Sequence, residues 1–264
     1  MPLGMKNALF LLLAELLILP NSLAVAQSPP EQQRPPDGGT REVLVSILIP
    51  TVPNALFSAT LATESIRQLA DGSRITLVNR RAIARDGAGR IFQERRLLVP
   101  EDGKRESVVT QIEISDPVSH EFYICVPKEL VCQVEFFSAP KFLPPTTGPA
   151  STTNESGFPS REDLGKQVIG GLETVGRRET TTIEAGTIGN DTPILTTREY
   201  WYSPQLSVNL ISKLQDPRIG SQNFEVSDIT LGEPDAKLFQ VPGKSKIIDL
   251  RKTTQTSSPV PSPN

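Results

Sequence analysis

Short runs of alternating apolar and polar residues recur along most of the chain and predict β-strands, because side chains two apart share one face of a strand. In SVVTQIEIS, the residues Val108, Thr110, Ile112 and Ile114 line one face. In LSVNLISKL, one face of the predicted strand carries Leu206, Val208, Leu210 and Leu214. Further strands are predicted in ATLATESIRQLA, in PILTTREYWYS at 193–203 and in SQNFEVSDITL.

Three Asp-Gly pairs separate the first of these runs: Asp71-Gly72, Asp86-Gly87 and Asp102-Gly103. Asp-Gly between strand-like segments predicts a hairpin turn, because both residues tolerate positive φ. The arginine-rich stretch RAIARDGAGRIFQERR at 81–96 therefore predicts a turn between strands at about 73–85 and 90–99. A phosphate-binding loop is the alternative interpretation, but such a loop normally leads into a helix and no helical pattern follows.

The pattern as a whole predicts an all-β domain of roughly ten antiparallel strands in meander order. A sheet of that size must curl or pack against itself, so we expect a curved half-barrel or a sandwich with little helix. One short helical turn is expected at EPDAKLF, with Pro234 at its start. The high content of proline, 24 residues in 264, agrees with a fold of strands and turns.

The first 26 residues have the pattern of a secretory signal peptide. One positive side chain precedes the apolar run NALFLLLAELLILP, and Ala24 and Ala26 match an A-x-A cleavage site. The run is shorter than the roughly 20 residues of a membrane-spanning helix, although an uncleaved anchor is the alternative. We therefore expect a protein exported to the periplasm or secreted, with no membrane span after cleavage.

Composition divides the rest of the chain. Residues 27–40 and 251–264 are rich in Pro, Gly, Ser and Thr and predict a disordered leader and a disordered tail. A similar segment at 139–162 could separate two domains. Because each flank would be small and would leave a sheet edge open, we expect one β domain at 41–250 carrying a long loop.

The two cysteines, Cys125 and Cys132, lie on two predicted strands joined at VPKEL. An exported chain with an even number of cysteines favours a disulfide, and opposite positions on paired strands are close enough for one. Two free thiols are the alternative.

Catalytic and metal-binding chemistry find little support in the sequence. The one histidine, His120, stands in a turn entering a strand, and no G-x-S-x-G motif occurs. One histidine and two bridged cysteines cannot supply the ligands of a zinc site, so neither a metal nor a cofactor is predicted. The net charge of −3 gives no reason to expect nucleic acid as a partner. Paired carboxylates in a cleft remain possible for a hydrolase.

The triplet Tyr200-Trp201-Tyr202 contains the only tryptophan. Alternation sends Trp201 to one face of its strand and both tyrosines to the other. These rings either pack in the core or form the wall of a ligand groove. In the second case the candidate contacts are Trp201, Tyr200 and Tyr202 together with Leu206, Val208 and Leu210.

Several stretches, among them FSATLATESIRQLADGSRI, ISDPVSHEFYI and REYWYSPQLSVNL through LFQVP, resemble an uncharacterised family of exported proteins frequent in acidobacteria. The resemblance covers most of 56–242 and implies no particular activity. The strand order and the closing P-D-x-x-L-F-x-V-P also resemble the periplasmic lipoprotein carrier (LolA-like) fold, which implies a curved half-barrel with an apolar concave face. The chain departs from the first family at Cys125 and Cys132 and in its longer middle loop.

The sequence thus predicts a non-enzymatic exported protein of the cell envelope that binds an apolar small molecule, a lipid or an envelope protein on a curved sheet. A hydrolase with acidic residues in a cleft and a purely structural scaffold are the alternatives. Carboxylates with raised pKa in a pocket would favour the hydrolase, and an apolar concavity would favour binding.

Overall fold

The computed structural model describes residues 47–138 and 159–251, which belong to one compact unit, Leu44–Asn264. The predicted signal peptide and leader, residues 139–158 of the predicted loop, and the tail after Arg251 lie outside the described residues. In the described part of the chain, no helix is long and apolar enough to cross a membrane.

The predicted all-β fold is confirmed: the described residues form one large, open, curved sheet of thirteen strands. The sandwich alternative is therefore wrong. A 3₁₀ turn at Ala236–Phe239 corresponds to the predicted helical turn. The strands are β1 Phe57–Gln68, β2 Arg74–Arg85, β3 Ile91–Arg96, β4 Val99–Pro100, β5 Val109–Asp116, β6 Glu121–Val126, β7 Val131–Phe136, β8 Ser160–Ile169, β9 Leu172–Ile183, β10 Ile194–Ser203, β11 Val208–Asp216, β12 Gly220–Leu231 and β13 Lys246–Asp249.

The strand order differs from a single meander. The path is β13-β7-β6-β5-β3-β2-β1-β12-β11-β10-β9-β8, with β4 paired to β2. Two antiparallel meanders are joined where β1 pairs with β12. As a result β7 and β8, which are consecutive along the chain, lie near opposite edges of the sheet. Strand β13 pairs in parallel with β7.

The arginine-rich stretch forms the predicted hairpin, since β2 and β3 pair antiparallel. The turn is closed by Gly89, which adopts φ +83° and donates its N–H to the Asp86 carbonyl at 3.0 Å. One Asp86 carboxylate oxygen also accepts the N–H groups of Ala88 and Arg90. The positive φ thus falls at the second glycine of DGAG, and the phosphate-loop alternative is wrong because a strand, not a helix, follows.

Strands β8 and β9 are absent from the sequence prediction, and β8 begins at Ser160, within the predicted loop at 139–162. Both carry mostly polar side chains, and seven of the ten residues of β8 are exposed, so no buried face gives an alternating pattern. Their connection is the Gly170-Gly171 pair, with φ of +56° and +83°. Gly-Gly between two segments is a hairpin signal that was present in the sequence.

The apolar side chains pack into two clusters. The larger, which we call the main cluster, combines strands β1, β2, β3, β9, β11 and β12 with Ile47, Ile49 and Leu206. The smaller contains Ala84, Phe92 and Ile114 on neighbouring strands, covered by Phe239 of the 3₁₀ turn. In the described part of the chain, each cluster is therefore covered by a short segment instead of a second layer of helices or strands.

Candidate functional site: the covered face of the sheet

One face of the central strands carries the main cluster. On β1 the residues Phe57, Ala59 and Leu61 alternate inward and are 0–8% exposed. Ala59 faces Ile83 on β2, and Leu61 faces Val226 on β12. Period-2 alternation across three paired strands therefore builds one continuous apolar surface.

The cover of this surface is the segment Ile47–Ala55, which we call the strap. It precedes β1 and contains no strand. Ile47 and Ile49 are 5% and 4% exposed in the main cluster, whereas Leu48 between them is 51% exposed. The strap therefore lays two isoleucines on the sheet and turns the intervening leucine to solvent.

Arg85 ties the strap to the sheet. Its side chain is fully buried, and its guanidinium donates hydrogen bonds to the carbonyl oxygens of Pro50 and Ala55, both at 2.8 Å, and to that of Leu206. Burial lowers the pKa of Arg85 to about 10, which leaves the group cationic at neutral pH. One side chain thus joins the strap, β2 and the turn between β10 and β11.

The six residues predicted as ligand contacts are not brought together at one accessible surface. Leu206, Val208 and Leu210 are 0–1% exposed in the main cluster, beside Ile47 and Ile49. As the structure stands, they contact the protein's own side chains. Any ligand reaching them would first have to displace the cover.

Trp201 lies outside both apolar clusters and is half-buried. Its indole N–H donates to Glu199 at 2.9 Å, and this bond holds the pKa of Glu199 below its ordinary value. Tyr200 accepts a hydrogen bond from Arg198 at 3.2 Å. Tyr202 is half-buried and interacts electrostatically with Arg85.

Sequence reasoning missed the strap and Arg85. Ile47, Leu48 and Ile49 are all apolar, so the sequence does not show that the first and third are buried and the second is exposed. Arg85 stands in a row of arginines that resembles a solvated strand face. Only the tertiary structure shows that this one points into the core.

The predicted disulfide is confirmed, because Cys125 and Cys132 face each other on β6 and β7 and are bonded. His120 is an exposed turn residue with φ +56°. In 47–138 and 159–251, no group of three or more His, Cys, Asp and Glu side chains could hold a metal ion.

Carboxylates with a raised pKa were the feature expected of the hydrolase alternative. Among the described residues, three carboxylates have a pKa that departs clearly from the ordinary value, and in all three it is lowered by hydrogen bonds: Asp71, Glu199 and Asp216. These acids are held in the ionised form, as in structural ion pairs.

No protein-family model matches the sequence, and no curated protein matches it. The acidobacterial resemblance therefore stays a prediction.

Among solved structures, the MucA/MucB complex of Pseudomonas aeruginosa matches at 14% identity and a TM-score of 0.37, over 73% of this chain and 58% of that chain. An uncharacterised conserved protein from Thermus thermophilus matches at 8% identity and a TM-score of 0.38, over 74% and 90%. A LolA-superfamily protein from Nitrosomonas europaea matches at 13% identity and a TM-score of 0.29, over 72% and 91%. This chain thus spans less than two thirds of the length of the matched chain in the MucA/MucB complex. All three scores are too low to assign a family or a function.

Proposed function

We propose that this is an exported, non-enzymatic protein of the cell envelope that binds an apolar ligand on the face of the sheet covered by the strap. The observation that supports this most strongly is that a short segment, the strap, covers the apolar face. A domain normally buries an apolar sheet face under a second layer of helices or strands. Here, among residues 47–138 and 159–251, the members of the main cluster outside the strands are Ile47, Ile49 and Leu206.

The free energies of burial allow an apolar ligand to replace the two isoleucines of the strap. Burying two isoleucine side chains stabilises the covered state by about 3–6 kcal/mol in total. An acyl chain gains about 0.8 kcal/mol for each methylene it buries, so about four to eight methylenes match the two isoleucines. Exchange of Ile47 and Ile49 for an apolar chain is therefore close to balanced, provided that Pro50 and Ala55 of the strap stay bonded to Arg85.

Export is supported by the signal-like N-terminus and by the disulfide, since such bonds persist in oxidising compartments outside the cytoplasm. In this proposal Leu206, Val208 and Leu210 are ligand contacts only after the strap moves. Trp201, Tyr200 and Tyr202 stay a weaker prediction, because they lie outside the main cluster.

The first experiment follows the strap directly. Both natural cysteines are in the disulfide, so Leu48→Cys provides one free thiol for a spin label at an exposed strap position. Addition of laurate should increase the mobility of this label in a saturable manner. The same label at Val118→Cys, 71% exposed in the turn between β5 and β6, is the control and should not respond. Saturable laurate binding with an unchanged label at position 48 would rule out displacement of the strap.

The second experiment weakens the cover. The double substitution Ile47→Ala and Ile49→Ala should increase laurate affinity, because less burial is lost when the strap leaves. Leu48→Ala is the matched control and should behave as the wild type. Folding of each variant is checked by circular dichroism. A folded double variant that binds laurate no better than Leu48→Ala contradicts the proposal.

A further inference from the structure

Residues 50–55 of the strap are fixed to the sheet by hydrogen bonds. Arg85 donates to the carbonyl oxygens of Pro50 and Ala55, both at 2.8 Å. Between these two residues, the N–H of Asn54 donates to a carbonyl oxygen in the turn between β2 and β3, at 3.2 Å. Separation of this part from the sheet would leave a buried guanidinium without two of its acceptors, which costs free energy.

Gly89 lets the backbone of the same part lie close to the turn between β2 and β3. A Cβ on this glycine would lie 3.5–3.6 Å from backbone atoms of Thr51, Val52 and Pro53. The backbone of the strap thus packs against the backbone of the turn over three consecutive residues. This packing adds to the hydrogen bonds that hold residues 50–55.

Residues 47–49 are held in a different way. None of their backbone groups forms a hydrogen bond within the described part of the chain, and Ile47 and Ile49 are held by burial, at 5% and 4% exposed. Pro50 separates the two parts, because its ring fixes φ and Arg85 binds its carbonyl oxygen. A movement of residues 47–49 is therefore taken up at Ile49, the residue before the proline.

The apolar part of the covered face is short along β1. Its inward series is apolar from Phe57 to Leu61 and turns polar at Thr63, which is 4% exposed. At about 3.3 Å per residue, the apolar part spans about 13 Å. It ends at a polar side chain in one direction, and in the other at Phe57, which faces Arg85.

The space that residues 47–49 can release is limited as well. Two isoleucine side chains contain about eight carbon atoms, and the interior of a protein is close-packed. A straight apolar chain of about eight carbons therefore fills the volume that Ile47 and Ile49 leave. A longer chain would have to lie over Thr63 or displace the fixed part of the strap.

We infer that the strap opens as a flap of residues 47–49 that turns at Ile49, while residues 50–55 stay bonded to Arg85. The ligand part that binds is then a single apolar chain end of about eight carbons, and the remainder of the ligand stays outside the covered face. This inference rests on the proposed function and adds to it the part of the strap that moves and the length of chain that is bound.

Two label positions distinguish a flap from release of the whole strap. The spin label at Leu48→Cys reports on the flap, and the same label at Pro53→Cys, an exposed position in the fixed part, is its counterpart. Saturating laurate should increase the mobility of the label at position 48 and leave the label at position 53 unchanged. Equal release of both labels overturns the inference and leaves the proposed function intact. Saturable binding with no response at either position contradicts both.

A series of fatty acids tests the length of chain that is bound. Titration calorimetry of the wild type, below the critical micelle concentrations, gives the affinities for hexanoate, octanoate, decanoate and laurate. Each buried methylene should increase affinity about fourfold, so octanoate should bind about fifteenfold tighter than hexanoate. Laurate should bind less than about twofold tighter than decanoate, because its extra methylenes stay outside. A gain of about fifteenfold at this second step as well overturns the inference alone. Binding of none of the four contradicts the proposed function, and with it the inference.

The polar boundary of the face can be moved by one substitution. Thr63→Val keeps a side chain of similar shape and extends the apolar series on β1, so laurate should then bind several-fold tighter than decanoate. Thr60→Val is the matched control, because Thr60 is half-buried on the other face of the same strand, and it should leave the ratio as in the wild type. If the two variants behave alike, Thr63 does not limit the chain and the inference is wrong. Should Thr63→Val fail to fold, the wild-type series and the two labels decide.

Discussion

Phe57 and Arg85 face each other on β1 and β2, and the guanidinium of Arg85 lies 5.1 Å from the centroid of the Phe57 ring. Both side chains are fully buried. The ring covers the cation while three backbone carbonyls accept its hydrogen bonds. A single charged residue thereby connects three separate segments inside the apolar core.

We expect Arg85→Met to lower the free energy of unfolding by about 3–5 kcal/mol, because it removes three hydrogen bonds inside the fold, and the Pro50 carbonyl keeps only the N–H of Val52 as a donor. Arg85→Lys should recover little, since an ammonium cannot reproduce the forked geometry. Urea unfolding measures both. Arg80→Met is the control and should change stability by less than about 0.5 kcal/mol, as an exposed ion pair does. Equal effects at the two positions would contradict the role assigned to Arg85.

The Cys125–Cys132 disulfide closes a small loop between β6 and β7. In the chain-entropy model, its reduction should lower the free energy of unfolding by about 2–3 kcal/mol. Urea unfolding with and without dithiothreitol measures this, and the double variant Cys125→Ala and Cys132→Ala, which has no disulfide to reduce, is the control for other effects of the reductant. Mass spectrometry verifies that the reductant has broken the bond. If the reduced wild type is then as stable as the oxidised one, the bond does not stabilise the fold.

The strands that could be predicted from sequence are those with one buried face. In β11, for example, Val208 and Leu210 alternate with less buried neighbours, and this burial is the cause of the pattern. β8 lies at the edge of the sheet, mostly exposed, and therefore lacks the alternation. Its pairing is set by the Gly170-Gly171 turn and by cross-strand ion pairs such as Glu162 with Arg178 at 2.9 Å.

The candidate site was predictable only in part, for a related reason. Alternation shows that Leu206, Val208 and Leu210 lie on a buried face, but it does not show what buries them. The cover comes from Ile47 and Ile49, far away along the chain. Arg81 and Asn79 are hidden in the same way: they resemble solvent-facing strand residues, but in the structure they are buried and donate to the carbonyl oxygens of Glu94 and Arg96.

Asp216 should contribute to stability in a pH-dependent manner. Arg218 donates to both of its carboxylate oxygens, at 2.9 and 2.6 Å, and lowers the pKa of Asp216 below its ordinary value of 3.8. Since the folded pKa is the lower one, the contribution is present at pH values above 3.8 and is lost as the pH falls through the lowered value.

We therefore expect wild type and Arg218→Gln to differ most in unfolding midpoint near neutral pH, with the difference shrinking as the pH falls below 3.8. Urea unfolding measured at a series of pH values checks this. A difference that stays constant into strong acid would show that Arg218 stabilises the protein by another route.

Gly176 accommodates the indole of Trp201. A Cβ at this position would lie 2.7 Å from two carbons of the ring and 2.8 Å from the Leu164 Cβ, which is closer than non-bonded carbon atoms approach. Gly176→Ala must therefore displace the ring and strain its hydrogen bond to Glu199, at a cost of about 1–3 kcal/mol. Because Trp201 is the only tryptophan, its fluorescence emission reports the displacement and should shift to longer wavelength. Gly243→Ala, where a Cβ meets nothing within 4 Å, is the control and should change neither emission nor stability. Unchanged emission in Gly176→Ala would mean that Trp201 does not pack over this glycine.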